Sequence, residues 1–393
     1  MALIECTRKS TKGSLEEVDI KIFSLITDKK PVSKVLIYSE ISWDFLEQRH
    51  HHLARFAVEQ GMTVEFVQRV VSRVPSVREM VGRLWKRRAE SSTKLVSKVV
   101  PRQLIIRSSL FLPPIIPLSG TYNWMLWFLL ERPRQRNAII YSFVNNPYVI
   151  GGDYPICAQH NTSVFDIIHN WWEFPWHKQV HRALVNNNVK LFDKIVTDSP
   201  VIAERLRSLN ISPHIMLPGV GEEWLDIASS STKISPVFFG NLRSNSDVEL
   251  VKRMSAEHNT HLLGLIDETV AKSVGNAIYL GEFSTDELIN EISNYNLVLL
   301  PYDQGEFSKT IAPAKYFEAL ATGALVVTGA DMSHLPGFND FVFRVDSLSQ
   351  EALYGLQEAI VAQSKKRQAQ VAFAGQHLWK TRFDDLFDFL EVE

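Results

Sequence analysis

The feature that most constrains the fold is a repeated alternation of short apolar runs with stretches of helical spacing. Lys34–Tyr38 reads as a buried strand, the segment 48–60 carries apolar residues at helical spacing, and Gly61 separates it from a second strand at 64–67. A strand, a helix and a second strand in this order form the βαβ unit of a parallel sheet. The sequence therefore predicts an α/β domain near the start of the chain.

The same alternation begins again in the second half of the chain. A turn cluster at 217–221 and a small polar stretch at 229–232 come before it. The strand-like runs that follow lie at 236–239, 261–265, 277–280, 297–301 and 324–328. A chain of 393 residues is long enough for two domains. We therefore predict two doubly wound, Rossmann-like domains facing a cleft, because ligands bind such sheets at the carboxyl ends of the strands.

The domain boundaries are placed at the interruptions of this pattern. We predict a first Rossmann-like domain at 1–218, a second Rossmann-like domain at 219–370, and a C-terminal helix at 371–393 that packs across to the first domain. Within the first domain, a strand-like run at 194–197 is followed by Ser199–Pro200. A serine N-cap with proline in the first turn is typical of a helix start.

The charge balance and the cysteine content narrow the class of protein. The 42 Lys and Arg residues nearly balance the 44 Asp and Glu residues, which argues against a nucleic-acid partner. Cys6 and Cys157 are the only cysteines, which favours a cytoplasmic protein without a disulfide framework. Residues 1–30 do not read as a secretory signal, and no run of about 20 apolar residues predicts a membrane-spanning helix.

One segment is strongly basic, although the charges of the whole chain nearly balance. Residues 78–107 contain nine Lys and Arg residues against Glu79 and Glu90, with Trp85 and aliphatic residues interleaved. A basic amphipathic segment with an interfacial tryptophan can lie on an anionic bilayer surface. The alternative is a solvated helix face that packs its apolar side on the core. The first interpretation predicts a protein bound peripherally to the inner face of the plasma membrane.

The segment with the clearest candidate binding residues follows the strand-like run that ends at Pro301. A helix opens near Pro313, with Lys315 at its start and Glu318 one helical turn later. A helix N-terminus in a cleft can bind phosphate, because its free N–H groups and its dipole favour an anion. A carboxylate one turn on can accept hydrogen bonds from ribose hydroxyl groups. The alternative is an ordinary surface ion pair between residues i and i+3.

The pattern P-x-K-x-x-E-x-L-A-x-G-x-x-V-V that begins at Pro313 resembles the donor-binding signature of GT-B glycosyltransferases. The sequence is most similar to bacterial polysaccharide glycosyltransferases of the TuaH-like group, within or near family 4. Weaker similarities occur in the same order along the chain. They lie at 43–44, 49–54, 165–171, 193–200, 217–220, 239–247 and 280–282.

This resemblance implies the GT-B fold and a metal-independent hexosyltransferase. It makes the domain at 1–218 the acceptor-binding domain and the domain at 219–370 the nucleotide-sugar donor-binding domain. The donor of this enzyme would be a nucleotide-diphosphate sugar of the UDP or GDP type, with no further cofactor. Its acceptor would be a glycan or lipid-linked saccharide in the biosynthesis of bacterial cell-surface polysaccharide (O-antigen, capsule or exopolysaccharide). Two alternatives stay open: a non-catalytic nucleotide-sugar-binding subunit of a polysaccharide assembly complex, and a sugar-nucleotide epimerase.

The resemblance also assigns donor-binding residues by matching position. Lys315 would hold the pyrophosphate, Glu318 the ribose, and Gly240 would let the backbone approach the phosphates. The remaining candidates are Arg243 as a second phosphate cation or a solvent-facing residue, Glu282 and Phe283 at the nucleobase, and Thr310 at the donor sugar. Family 4 enzymes commonly carry a glutamate at the position of Thr310, so the choice between retention and inversion stays open.

Acid–base candidates lie in an aromatic-rich segment of the first domain. We predict Asp166 and His169 as catalytic residues, because one of them could accept the acceptor proton, with His160 a weaker candidate. The tryptophans at 171, 172 and 176 could stack on sugar rings, or they could be core aromatics. The run His50–His52 is not predicted to bind metal, because consecutive helical residues point in different directions.

Overall fold

The computed structural model describes residues 33–72, 101–116, 118–152, 162–173, 179–225, 227, 234–242, 246–345 and 350–392. Several predictions concern residues outside these ranges. They are those on residues 1–30, the larger part of the basic segment (78–100), the polar stretch 229–232, Cys6, Cys157, His160, Trp176 and Arg243.

The first described domain is a parallel sheet with strand order β3-β2-β1-β4-β5-β6-β7. Its strands are β1 (Lys34–Tyr38), β2 (Thr63–Gln68), β3 (Leu104–Ser108), β4 (Ile139–Ser142), β5 (Thr162–Ile167), β6 (Lys194–Thr197) and β7 (His214–Ile215). Its described helices are α1 (Arg49–Glu59), α2 (Ser119–Leu126), α3 (Gln179–Asn188) and α4 (Pro200–Ser208), with a π-helical turn at Trp127–Glu131 and a 3₁₀ turn at Pro147–Ile150.

The second described domain is also a parallel sheet, with strand order β10-β9-β8-β11-β12-β13. Its strands are β8 (Pro236–Leu242), β9 (His261–Ile266), β10 (Ile278–Gly281), β11 (Leu297–Leu300), β12 (Leu325–Thr328) and β13 (Val342–Arg344). Its helices are α5 (Val248–Glu257), α6 (Glu268–Ala271), α7 (Thr285–Ile292), α8 (Ala314–Ala321), α9 (Phe338–Phe341) and α10 (Gln350–Gly375), with 3₁₀ turns at Glu222–Trp224 and Ser308–Thr310. A last helix, α11, spans Trp379–Phe389.

Each sheet buries apolar side chains on both faces. In the first sheet, Ile37 and Phe66 pack on one side, while Leu36 and Ile140 pack on the other. The second sheet has the same arrangement, with separate clusters on its two faces. Near-continuous apolar strands covered by helices on both faces are the pattern of a doubly wound fold. The predicted fold class of two Rossmann-like α/β domains is therefore confirmed.

Local sequence signals account for several helix starts. The Ser199 side chain accepts a hydrogen bond from the backbone N–H of Ile202, and Pro200 occupies the first turn of α4, as predicted. The Asp247 carboxylate accepts from the N–H of Leu250 at the start of α5, 3.0 Å away. These caps begin their helices directly after a strand, which keeps the strand ends close to the cleft.

Strand β8 extends further than its sequence indicates. The glycine and polar residues from Gly240 onward predict a turn, yet Gly240–Leu242 continue the strand in parallel register with Gly264–Ile266 of β9. Gly240 and Gly264 adopt φ values of 112° and 113°, which L side chains rarely adopt. Two glycines facing each other permit this close backbone approach, so the strand brings Gly240 to the cleft.

The C-terminal end of the chain crosses from the second core to the first. Ala374 of α10 packs in the second domain, whereas Trp379, Phe383 and Leu386 of α11 pack with α1 in the first. The break between the two helices lies at 376–378, so the predicted start of the crossing helix at 371 falls inside α10. Helix α10 packs against α8 and still belongs to the second core at Ala374, so the crossing begins after α10 ends.

Among the described residues, no helix is both long enough and apolar enough to cross a bilayer. The described end of the basic segment contains one arginine that is not available to lipid. The Arg107 guanidinium donates to the Glu65 and Glu131 carboxylates at 2.5–3.0 Å, whereas Arg102 is exposed. Arg107 is therefore a structural ion-pair residue of β3.

Candidate functional site

A cavity of about 420 Å³ lies between the carboxyl ends of the two sheets. Its volume is within the range of small-molecule sites. The first domain contributes the start of α1 and the segments that follow β5 and β6; the second contributes the end of β8 and the start of α8. The two domains therefore build the site together, as the predicted cleft requires.

The second-domain wall is centred on the N-terminus of α8. Pro313, Ala314 and Lys315 line the cavity there, next to Gly240 at the end of β8. A Cβ atom placed on Gly240 would overlap the Lys315 side chain, so the glycine leaves the room that the lysine occupies. An ammonium group, the free N–H groups of a helix and an exposed strand end converge here, which is the composition of an anion site.

Glu318 lines the same wall, one helical turn beyond Lys315. Burial raises the pKa of Glu318 to about 7; the Lys315 charge opposes this rise, and the Glu223 carboxylate adds to it. A carboxyl group poised near neutral pH within a cleft is typical of a functional site. Glu223 also lines the cavity. No sequence signal indicated Glu223, since it lies in the interdomain segment rather than in the signature.

The other predicted donor residues are placed differently. Phe283 lines the cavity, whereas Glu282 is exposed and is not among the lining residues. The Thr310 hydroxyl lies at a contact between the domains, where it accepts from the Asn170 side-chain amide at 3.0 Å and donates to the carbonyl of Phe307 at 2.8 Å. Thr310 is thus engaged beside the cavity rather than exposed to it.

Asp166, predicted as catalytic, is fully buried at the end of β5 and is not among the lining residues. Its Oδ2 atom lies 3.0 Å from Arg49 Nε and accepts a hydrogen bond from the Tyr141 hydroxyl at 2.7 Å. Burial raises the pKa of Asp166, and the Arg49 charge opposes the rise. In this structure Asp166 anchors Arg49 at the start of α1 instead of facing a ligand.

His169 does line the cavity and is exposed. The neighbouring Trp171 and Trp172 are buried in the core on one face of the first sheet, so the core interpretation holds for both. Thus the structure separates the two predicted catalytic residues, with His169 at the cavity and Asp166 beneath its wall.

Three buried side chains of the first-domain wall were not predicted as site residues. Arg49, His50 and Asp198 line the cavity and are 3–6% exposed. His50 Nδ1, Asp198 Oδ1 and the terminal nitrogens of Arg49 have no hydrogen-bond partner in the protein. A buried polar atom left unpaired costs about 1–3 kcal/mol, so these atoms indicate a wall built for a polar ligand.

The charges of this wall are mutually dependent. Burial raises the pKa of Asp198 well above its ordinary value, with the Asp166 charge adding to the rise and Arg49 opposing it. Burial also lowers the pKa of His50, with the neighbouring His51, His169 and Arg49 acting in the same direction. His50 is therefore neutral at pH 7. The position of Asp198, directly after a parallel strand, is the signal that could have identified it.

The three consecutive histidines have separate roles. His50 packs on Phe143 with ring centroids 3.8 Å apart, and His52 stacks on Trp379 at 4.8 Å. His51 lies 3.1 Å from the carbonyl of Trp43 and accepts from the N–H of Gln48. The described part of the chain contains no group of three or more His, Cys, Asp or Glu residues arranged to hold a metal ion.

No protein-family model matches the sequence, and no curated protein matches it. Solved structures do match over nearly the whole chain. A glycosyltransferase from Rickettsia africae is 12% identical, covering 92% of this chain and 99% of its own, with a TM-score of 0.61. Anabaena HepE in complex with UDP and glucose is 11% identical, covering 92% and 100%, with a TM-score of 0.59.

WaaG, a glycosyltransferase involved in lipopolysaccharide biosynthesis, is 14% identical, covering 87% of this chain and 94% of its own, with a TM-score of 0.56. At these identities the matches establish a common fold. The chain has the GT-B fold of two facing Rossmann-like domains with a C-terminal helix that returns to the first.

Proposed function

We propose that the chain is a glycosyltransferase that transfers a hexosyl group from a nucleoside-diphosphate sugar to a hydroxyl group of a saccharide acceptor. The observation that carries this proposal is that two walls of different chemistry, one from each domain, face each other across one cavity. Lys315, Gly240 and the start of α8 form an anion site on one side. Unpaired buried polar groups of the first domain face it on the other.

On the donor side, Lys315 and the N–H groups of α8 would hold the diphosphate. They would also stabilise the negative charge that develops on this leaving group as the glycosidic bond breaks. Glu318 would accept hydrogen bonds from the ribose hydroxyl groups. Because the pKa of Glu318 is about 7 in the ligand-free protein, donor binding near neutral pH would release a proton from part of the molecules.

On the acceptor side, Arg49 and Asp198 would bind acceptor hydroxyl groups, since both residues line the cavity and carry buried polar atoms without a hydrogen-bond partner in the protein. His169 is the best-placed candidate for the group that accepts the proton of the attacking hydroxyl. Asp166 would act as a positioning residue, because its carboxylate holds the Arg49 side chain from below.

The names of two similar structures support the choice of substrates. HepE was solved with UDP and glucose, and WaaG acts in lipopolysaccharide biosynthesis. They favour a UDP-sugar donor and an acceptor in bacterial cell-surface polysaccharide. The proposal of family 4 or its TuaH-like group rests on the signature that begins at Pro313 alone. A lipid-linked acceptor of this kind would place the enzyme at the inner face of the plasma membrane.

Titration calorimetry with UDP and GDP tests the donor site. The variant Lys315→Ala removes the ammonium group, so we expect binding of the preferred nucleotide to weaken at least tenfold. Lys309→Ala is the matched control, since Lys309 is exposed, pairs with Glu306 and does not line the cavity. We expect that control to bind like the wild type. Equal affinities for the wild type and Lys315→Ala would overturn the donor-site assignment.

One observation keeps the non-catalytic subunit as a second candidate function. Thr310 stands where family 4 enzymes commonly have a glutamate, and its hydroxyl is engaged with Asn170 and Phe307. A site with that substitution could hold the nucleotide without activating the sugar. Release of UDP from UDP-sugars in the presence of acceptor, measured for the wild type, separates the two functions.

A further inference from the structure

The first domain carries an exposed apolar face that neither the donor wall nor the acceptor wall uses. It consists of α2, the π-helical turn that continues it, and the segment 110–112 beside it. Leu118 is 88% exposed, and Leu110 and Leu129 are each 60% exposed. The complete face is Leu110, Leu112, Leu118, Tyr122, Met125, Phe128, Leu129 and Leu130.

Hydrogen bonds hold the segments of this face in fixed positions. The Asn123 side chain donates to the carbonyl of Leu112 at 2.9 Å and accepts from its N–H at 2.8 Å, which fixes the 110–112 segment against α2. The buried Trp127 donates through its indole N–H to Gln135 at 3.0 Å, which anchors the helix from inside. Asn123 and Trp127 thus hold the inner side of the helix and its π-helical turn against the protein, which leaves the leucines on the outer side.

The distribution of side chains is the reverse of an ordinary surface helix. Leu118, Tyr122 and Met125, followed by Leu129, recur at helical spacing and share one side. On a soluble domain that outer side is normally polar. From Ser108 to Leu130 the sequence contains no Asp, Glu, Lys, Arg or His. Contiguous exposed apolar surface of this kind marks an interaction site.

The charge next to the face is positive. Arg132 stacks over the Phe128 ring, with the guanidinium carbon 5.2 Å from the ring centroid, and Arg134 and Arg136 follow in exposed positions. The nearby carboxylates of Glu65 and Glu131 are buried and held by Arg107. Arg134 itself lies 3.5 Å from Glu65. Arg132, Arg134 and Arg136 form an arginine rim along the face, and this rim is positively charged at the surface because the neighbouring acids are buried.

We propose that this apolar face inserts into the surface of an anionic lipid bilayer. Leucines and aromatic rings would enter the boundary between head groups and acyl chains, and the arginine rim would bind head-group phosphates. A second copy of the chain fits less well, since a two-fold contact through this face would bring the two arginine rims together. The apolar face is distinct from the basic segment at 78–107 considered from the sequence.

Vesicle co-sedimentation with the full chain tests this proposal. We expect the wild type to bind vesicles of phosphatidylglycerol and phosphatidylethanolamine at least tenfold more tightly than pure phosphatidylcholine vesicles. The double variant Leu118→Glu/Leu129→Glu should lose at least tenfold of this binding, because two exposed leucines that would enter the bilayer are replaced by charges that anionic lipid repels. Val361→Glu is the matched control, since Val361 is 55% exposed on α10 of the other domain, and it should bind like the wild type.

Three results would overturn the proposal. The first is that the wild type does not bind anionic vesicles, and the second is that the double variant binds them as tightly as the wild type. The third is that the wild type forms a dimer and binds no vesicles, while the double variant is a monomer. Far-UV circular dichroism checks that the double variant folds. If it does not, Arg134→Gln/Arg136→Gln serves instead, and it should weaken binding and reduce its salt dependence. Vesicle binding needs no nucleotide, so its result does not depend on whether the donor-site assignment is correct.

Discussion

Glu318 couples the candidate donor site to pH. Its pKa is about 7 in the folded chain, above its value in an unfolded chain, so the folded state holds a proton that the unfolded state loses. The resulting stability is present in full below the unfolded pKa of about 4.5 and is lost as the pH rises through 7. At alkaline pH the protein must keep a carboxylate in surroundings that favour the neutral acid.

The variant Glu318→Gln stays neutral at every pH. We therefore expect its free energy of unfolding to exceed that of the wild type by about 2 kcal/mol at pH 8 and by little at pH 5, without nucleotide. Urea denaturation at both pH values measures this difference. Glu306→Gln, at an exposed position, is the control. A difference between Glu318→Gln and wild type that does not grow with pH would contradict the pKa of Glu318.

Residues of the site differ in how far the sequence could reveal them. Lys315 and Glu318 were predictable, because their spacing in one helix and the signature around them are contained in a single segment. Arg49 and His50 begin α1, whereas Asp198 follows β6, and only the packing of α1 on the strand ends brings the two segments together. The burial of Asp166 and its pairing with Arg49 depend on the same packing, so the sequence could not show whether its carboxylate faces the cavity.

At the scale of elements, the Arg49–Asp166 ion pair joins the start of α1 to the end of β5, and Tyr141 of β4 donates to the same carboxylate. Both charged residues are almost fully buried. Removing one partner of a buried pair leaves the other charge uncompensated, which is strongly destabilising. This contact therefore sets where α1 meets the cavity.

For Asp166→Asn we expect a loss of about 3 kcal/mol in the free energy of unfolding, measured by urea denaturation. Glu173→Gln is the matched control, because Glu173 pairs with Arg205 at 3.4 Å on the surface, and its loss should cost less than about 1 kcal/mol. If Asp166→Asn proves no more destabilising than Glu173→Gln, the ion pair does not hold α1.

Most strands and helices were predictable from apolar runs, caps and glycines, as α4 illustrates with its serine cap. Strand β8 was not, because the extension past Gly240 depends on pairing with Gly264 in a distant segment. The outward apolar face of α2 was missed for a related reason. Its apolar residues recur on one side of the helix, but only the structure shows that this side faces outward while Ser119 and Asn123 are buried.

At the scale of the whole molecule, contacts on both sides of the cavity join the domains. Asn170 donates to Thr310 at 3.0 Å, and the Thr285 hydroxyl donates to Glu47 at 3.3 Å. Helix α11 adds a third link, since Trp379 contacts both His52 and the interdomain Gly219. The sequence predicted two facing domains, but not which side chains would meet across the cleft.

These links place the anion site of the second domain opposite the unpaired polar groups of the first, so a donor bound on one wall would present its sugar to the other. A crystal structure with UDP tests this arrangement most directly. We predict the diphosphate within about 3 Å of Lys315 Nζ and of the N–H groups at the start of α8, with the ribose hydroxyl groups on Glu318. UDP bound elsewhere, or bound here with its diphosphate away from Lys315, would contradict the account.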